Sequence, residues 1–411
     1  MVLKRLNKST LTTPQWRQRH RKRAHHTTGE AAMDEAKRIL ILVADLGFGH
    51  RAAAKAISNA LAEKFGEDAL IETANPMSSE LAPSFLRDTP DDYDRFVREL
   101  PELYQLTYQV SGTAMVSSIY ESAFVLMLLP AMIAEIDRFK PDVIVVTQEN
   151  YLAPLNAMMA LRSQRIPIVT IITDLTTLHR MWFNEVSTLT IVPTQIAYDL
   201  ALLNGLPKQK VRTIGIPVNT ALANEQRSKA ELRSALGWEH DVTTLLFVGS
   251  KRTRQFPDVL RALNHCALPL QLCIVAGGDE ETYPLLRGTD WHVPAHVYNF
   301  VDNLPMMLHA ADAVVCKAGG LIVSEALACG LPILLTDVIE GQETGNADYV
   351  VTNGAGVRVG DPVEALEAVF HWLQNDGEQL QGHARHSRKL GHPRAAYEIA
   401  NLIWKAAQNG V

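Results

Sequence analysis

Cysteine is scarce: Cys266, Cys273, Cys316 and Cys329 are the only four in 411 residues. All lie in apolar runs without CxxC spacing, which excludes a disulfide framework or a cysteine-ligated zinc site and reads as buried thiols of a reducing compartment. No run of consecutive apolar residues reaches the ~18–20 of a membrane span. The nearest, AFVLMLLPAMIAEI at 123–136, is short, contains Pro130 and runs into DRFK. Short-period repeats and low-complexity tracts are missing, so a solenoid is excluded. Residues 1–28 lack any acid but hold eight Lys/Arg, leaving 31 basic against 45 acidic residues, a net −14, in the rest of the chain. No apolar stretch follows this tail, so it is expected to be disordered rather than a secretory signal. Alone, its charge suits anionic lipid, nucleic acid or mere solubility.

What is present is alternation. RILILVA, ALIETA, DVIVVTQ, IPIVTIITD, LTIVPT and VRTIGIPV are short Val/Ile-rich runs separated by helical stretches. After a break at Pro217 the pattern restarts with TTLLFVGS, LQLCIVAGG, HVYNFV, DAVVCKAGG, PILLTD and AGVRV. Buried strands with crossover helices predict an α/β protein of two Rossmann-like, doubly wound domains facing a cleft. The expected division is a basic tail at 1–28, domains at 29–218 and 219–392, and a C-terminal helix at 393–411 packing back on the first domain. Ligands in such sheets bind beyond the carboxyl ends of the strands.

Residues 38–61, RILILVADLGFGHRAAAKAISNAL, read as a strand, a glycine turn and a helix. Gly47, Gly49 and Ala52 have the spacing of a dinucleotide fingerprint, and Glu72 lies near where that fingerprint places a ribose-binding acid. An NAD-dependent dehydrogenase is therefore the first reading. His50 opposes it, because a pyrophosphate site needs bare amides where an imidazole opens this helix. The plain alternative is a solvated residue in the first helical turn.

The segment 311–356 says more. A strand ends at Lys317, Ala318-Gly319-Gly320 turns, and LIVSEALACG opens a helix whose unpaired amides can hold a diphosphate without a metal. Glu325, in its second turn, can accept both hydroxyls of a ribose. Gln342, Glu343 and Asn346 offer amide and acid groups for sugar hydroxyls. Lys251, Arg252 and Arg254, in GSKRTRQF, either grip the diphosphate or lie exposed. The DxD-like Asp92-Tyr93-Asp94 begins a polar helix and reads as capping and solvated surface.

KAGGLIVSEAL with GQETGNADYVVTNGAG resembles the donor-site signature of glycosyltransferase family 28, in its diacylglycerol branch of monogalactosyl- and processive glucosyl-diacylglycerol synthases. DLGFGHRAAAKAI is similar to that branch's glycine-His loop, TDLTTLHRMWFNEVSTLTIVPT to its Asp, His and Trp-Phe segment, and GIPV to its domain junction. The resemblance covers about residues 38–360 in order. It departs where GSKRTRQF replaces a glycine-rich loop and where TQENY, 147–151, replaces a His-Pro pair.

This resemblance implies a GT-B fold whose carboxyl-terminal domain holds UDP-glucose or UDP-galactose. The implied donor residues are Lys317, Gly319, Gly320, Leu321, Ser324, Glu325, Gln342, Glu343 and Asn346; Lys251 and Arg252, in the loop that departs from the family, join them by their charge alone. The acceptor side is implied at Gly47, Phe48, Gly49, His179 and Trp182, although His179 also reads as a structural histidine and Trp182 as a core residue. His50 is the implied general base and Asp174 the second catalytic residue; the positive end of the helix is expected to keep His50 neutral. The implied reaction is a single inverting displacement giving a β-glycosyl-diacylglycerol, with no metal or cofactor. The expected setting is cytoplasmic and peripheral on anionic membrane lipid, without nucleic acid. The 123–136 segment is then either a core helix or an acyl-facing surface. Alternatives are transfer to a sterol or polyprenyl carrier, a hydrolysing nucleotide-sugar epimerase, and a non-catalytic membrane sensor of nucleotide-sugars.

Overall fold

The computed structural model describes residues 36–45, 48–87, 111 and 113–409; the basic tail, Gly47 and Asp92-Tyr93-Asp94 lie outside them. The first sheet contains β1 (Lys37–Leu42), β2 (Ala69–Ala74), β3 (Val143–Val146), β4 (Ile168–Ile171), β5 (Leu189–Val192) and β6 (Val211–Thr213), in the order β2-β1-β3-β4-β5-β6. The second contains β7 (Thr243–Val248), β8 (Leu270–Val275), β9 (Ala295–Tyr298), β10 (Ala313–Lys317), β11 (Ile333–Asp337) and β12 (Gly356–Arg358), in the order β12-β11-β10-β7-β8-β9. All pairings are parallel. Each of the twelve apolar runs in the sequence is a strand. β3, β4 and β8 are buried along their whole length, because helices cover both faces of a parallel sheet.

Strand order reverses once in each sheet, between β1 and β3 and between β7 and β10. At such a point adjacent loops leave in opposite directions and open a crevice at the carboxyl ends. One face of the first sheet packs on helix Phe48–Phe65, through Ala54, Ile57 and Leu61, and on helix Ala395–Asn409, through Ile399 and Ile403. Phe65 and Trp404 stack between these helices, 4.2 Å apart at the centroids. The last helix thus belongs to the first lobe's core, each buried isoleucine adding roughly 1.5–3 kcal/mol.

The other face carries helix Ala114–Phe139, longer than the apolar run at 123–136 that announces it. By length and composition Met115–Phe139 is apolar enough to cross a membrane, with mean hydropathy 1.7. A count of consecutive apolar residues misses this because Ser117, Ser118, Glu121 and Ser122 interrupt it. Leu128, Met132, Ile136 and Phe139 recur at helical spacing and are buried against the sheet. Met115, Ile119 and Leu126 are left exposed.

Candidate active site

His50 stands in the first turn of helix Phe48–Phe65, and the loops after β3 and β4 hold its ring. Nδ1 is 2.7 Å from the Thr147 carbonyl and 3.0 Å from Thr173 Oγ1. A carbonyl only accepts, so Nδ1 carries the hydrogen and Nε2 keeps a lone pair. Burial holds the imidazole down to about 4; the bond to Thr147 opposes this and the charge of Arg252 adds to it. Neutrality therefore comes first from desolvation and then from a cation of the second lobe, whereas the sequence pointed to the helix end. A Cβ on Gly49 would meet nothing within 4 Å, so the space over this turn is open. Of Phe48, only the backbone is described.

Two carboxyls sit nearby. Burial raises Asp174 to about 7, opposed by the amide of Asn346, with Glu343 adding to the rise and Lys317 countering it. Glu149, in the loop after β3, is raised to about 7 by burial and further by Asp174. Two of the residues implied for the acceptor side are built into the first lobe itself. Trp182 is 2% exposed and 6.4 Å from the His50 ring centroid, part of the first lobe's core. His179 Nδ1 accepts from the Met181 amide at 3.3 Å and Nε2 lies 3.2 Å from Ser111 Oγ, so His179 caps a short turn while burial lowers its pKa.

From the second lobe, β10 ends at Lys317, whose ammonium pairs with Glu343. Gly320 then opens helix Gly320–Ala328 against the first lobe: a Cβ there would lie 2.4 Å from the Thr173 carbonyl. At Gly345 a Cβ would lie 2.1 and 2.3 Å from the hydroxyls of Thr177 and Thr176. Only glycine permits the lobes to meet this closely. Leu321 is half-buried, and Ser324 donates to the Gly320 carbonyl at 2.7 Å, inside its own helix. Glu325 is 7% exposed and raised to about 7 by burial, and its carboxyl has no hydrogen-bond partner among the described residues.

Glu343 and Asn346 differ from the sugar-facing groups expected. Glu343 is tied to Lys317 and accepts from the Ile339 amide at 3.2 Å. Asn346 is fully buried: Oδ1 accepts from the Leu175 amide at 2.8 Å, and Nδ2 donates to the Ala318 carbonyl at 3.0 Å and to Asp174 at 3.5 Å. It bridges the lobes instead of facing open space. Gln342 is half-buried on the same loop. In GSKRTRQF, Lys251 is exposed while Arg252 is half-buried and reaches His50 electrostatically. Asp337 accepts from the Arg254 and Gln255 amides at 2.7 and 3.1 Å and so fixes that loop. Glu72 pairs with Arg138, which removes the ribose acid that a dinucleotide at the first turn requires. Among the described residues, no group of three His, Cys, Asp or Glu assembles to hold a metal ion.

Thr147, Glu149 and Thr173 were not singled out by their chemistry in the sequence. Their one signal is position: Thr147 and Glu149 follow β3, at the reversal point, and Thr173 follows its neighbour β4.

Residues 50–218 match the family described as Monogalactosyldiacylglycerol (MGDG) synthase, and residues 228–389 match Glycosyl transferases group 1. A probable monogalactosyldiacylglycerol synthase 2, chloroplastic, of Oryza sativa subsp. japonica is 31% identical over 91% of this chain and 81% of its own length. Monogalactosyldiacylglycerol synthase 3, chloroplastic, of Arabidopsis thaliana is 30% identical over 91% and 82%. Among solved structures, the Streptomyces glycosyltransferase SsfS6 superposes with a TM-score of 0.58 at 16% identity, covering 90% of this chain and 99% of that one. MurG of Acinetobacter baumannii gives 0.56 at 17% identity, covering 90% and 99%. These likenesses show the GT-B architecture expected from the sequence.

Proposed function

Because the chain belongs to the monogalactosyldiacylglycerol synthase family of glycosyltransferases, we propose that it transfers a hexose from a UDP-sugar to diacylglycerol with inversion at C1. The relatives' names favour galactose. The observation that carries the reading is the fixed tautomer of His50, with Nε2 left as an acceptor at the meeting point of the two lobes.

The acceptor hydroxyl gives its proton towards Nε2 as its oxygen bonds to C1, and the bond from C1 to the diphosphate breaks with its electron pair on the leaving group. A neutral imidazole is the form that can do this near pH 7, and burial keeps it so. The helix beginning at Gly320 offers its first amides to the diphosphate, with Arg252 as the nearby cation, so we assign no metal to the step. Glu325, desolvated and without a protein partner, suits the ribose hydroxyls of UDP. Asp174, beside Thr173, supplies negative charge to the imidazolium as it forms. In this reading the donor occupies the second lobe and the lipid acceptor the first.

Incubating the purified chain with diacylglycerol in liposomes and, separately, each of four UDP-sugars, then resolving the lipids, tests this. A β-galactosyl-diacylglycerol from UDP-galactose is expected. UDP release without any lipid glycoside would instead indicate a hydrolase or epimerase.

A further inference from the structure

We propose that Glu63 is a positioning residue of this reaction: with Tyr397 it clamps the interlobe turn at 220–224 onto the first lobe, and so sets how closely the donor lobe approaches His50. The inference rests on the hexosyl-transfer reading above.

Two segments carry the chain between the lobes. The first runs from the end of β6 to helix Lys229–Leu236, and the second from helix Glu378–Leu390 to helix Ala395–Asn409. They touch at Gly215, where φ is +115° and a Cβ would lie 2.7 Å from that of His392. Within the first segment both lobes hold the short helix Ala221–Asn224. Leu222 is buried in one cluster with Met307 and Leu308 of the second lobe, and its carbonyl accepts from His309 Nε2 at 3.1 Å. The next residue, Ala223, packs against the first lobe's core, in the cluster that contains Tyr397. Neighbouring side chains thus enter opposite cores, and this turn is the pivot between the lobes.

Glu63 reaches in from the surface of the first lobe and fastens that pivot. Its Oε1 accepts from Thr220 Oγ1 at 2.8 Å, and its Oε2 accepts from the Tyr397 hydroxyl. Asn224 Nδ2 donates to the same hydroxyl at 2.6 Å. Both ends of the turn are therefore bonded to the two helices that cover one face of the first sheet, Phe48–Phe65 and Ala395–Asn409. Thr220 and Tyr397 are buried, so water competes little for these bonds. Burial and the Glu63 carboxylate keep Tyr397 protonated, the form that donates.

One helix connects this clamp to the chemistry. His50 and Glu63 stand on helix Phe48–Phe65, about 20 Å apart along its axis at a rise of ~1.5 Å per residue. A rotation of roughly 5° at the pivot shifts the donor lobe against His50 by about 2 Å over that lever, where ~1 Å of misplacement can cost about 10²-fold in rate. A loosened clamp should therefore slow transfer without touching the groups that bind UDP.

The test separates turnover from donor binding in the full chain. Glu63→Ala should lower kcat for lipid glycoside by roughly 10–100-fold, while UDP affinity by calorimetry stays near wild type. Tyr397→Phe should act in the same direction, and the double variant should be no slower than Glu63→Ala, because both side chains act through one pivot. Glu63→Gln keeps the reach, with its carbonyl accepting from Thr220 and its amide donating to Tyr397, and should restore most of the turnover. Small-angle scattering should show a larger radius of gyration for Glu63→Ala than for wild type or Glu63→Gln. Wild-type turnover in folded Glu63→Ala would refute the role, and so would a fall in UDP affinity that matches the fall in kcat, since Glu63 would then serve the fold of the donor lobe. If Glu63→Ala does not fold, Tyr397→Phe, which keeps the ring in the core, decides by the same two measurements. Wild-type protein that makes no lipid glycoside sinks the hexosyl-transfer reading itself, and an unchanged radius of gyration in Glu63→Ala then sinks the clamp as well; product formation with kcat unmoved by Glu63→Ala sinks this inference alone.

Discussion

At position 50 the two ring nitrogens have different tasks, Nδ1 bound to Thr147 and Thr173, Nε2 proposed as the proton acceptor. His50→Ala should therefore lower turnover by roughly 10²–10⁴-fold, the range for losing a general base, while UDP affinity by calorimetry stays near wild type. Glu325, proposed to hold the ribose, is the opposite case, a carboxyl whose burial costs stability. Its folded pKa of about 7 lies above the ordinary 4.5, so the folded chain keeps a proton that the unfolded chain gives up. Stability is full below the unfolded value and falls as pH rises towards 7, by at most about 3 kcal/mol. Glu325→Gln should thus melt higher than wild type at about pH 8, match it at about pH 4, and bind UDP more weakly by roughly 1–3 kcal/mol. Equal melts at both pH values would show that the carboxyl is not desolvated. Both positions stand out in the sequence, His50 after a glycine turn and Glu325 in the second turn of a helix after another, while their roles were implied by the family resemblance. Thr147 and Thr173 do not: one acts through its carbonyl and the other through a hydroxyl, and folding alone brings them to position 50.

The same distinction holds for whole elements. All twelve strands could be read as apolar runs, most plainly β3, β4 and β8, because a parallel strand buried on both faces has no polar side to confuse it. What the sequence could not give is the contact between lobes at helix Thr344–Thr352. Asn346 there satisfies the Leu175 amide and the Ala318 carbonyl, groups remote from it in sequence. Asn346→Ala should lower stability by about 1–3 kcal/mol for each buried group left unpaired, read as a lower melting temperature in the apo protein. Gly345→Ala puts a methyl into the hydroxyls of Thr176 and Thr177 and should push the loop after β4 away from the second lobe. UDP affinity should survive, since the Gly320 helix is untouched, while turnover falls because His50 and the donor no longer meet. Loss of both together would mean that Gly345 serves folding of the second lobe rather than the approach of the first.

Across the whole molecule, the proposed lipid acceptor raises the problem of how a chain carrying net −14 beyond its first 28 residues would approach an anionic leaflet. The basic tail lies outside the described residues, so the argument for it is charge alone: each Lys/Arg near such a surface contributes on the order of 1 kcal/mol, screened by salt. In the proposed attachment, helix Ala114–Phe139 would supply the second, apolar signal. Its buried side holds the sheet, while Met115, Ile119 and Leu126 emerge from the opposite side, Leu126 being 81% exposed. Leu129, by contrast, packs against the core, so a charge there tests folding more than membrane contact. Leu126→Asp should leave the melting temperature unchanged and reduce partition onto uncharged vesicles, where electrostatics contributes little. Deleting residues 1–28 should reduce partition onto anionic vesicles at low salt and make what remains insensitive to salt. If Leu126→Asp partitions like wild type, the exposed stripe is not the contact. If the truncated chain binds anionic vesicles as before, the attraction must come from basic side chains of the folded body.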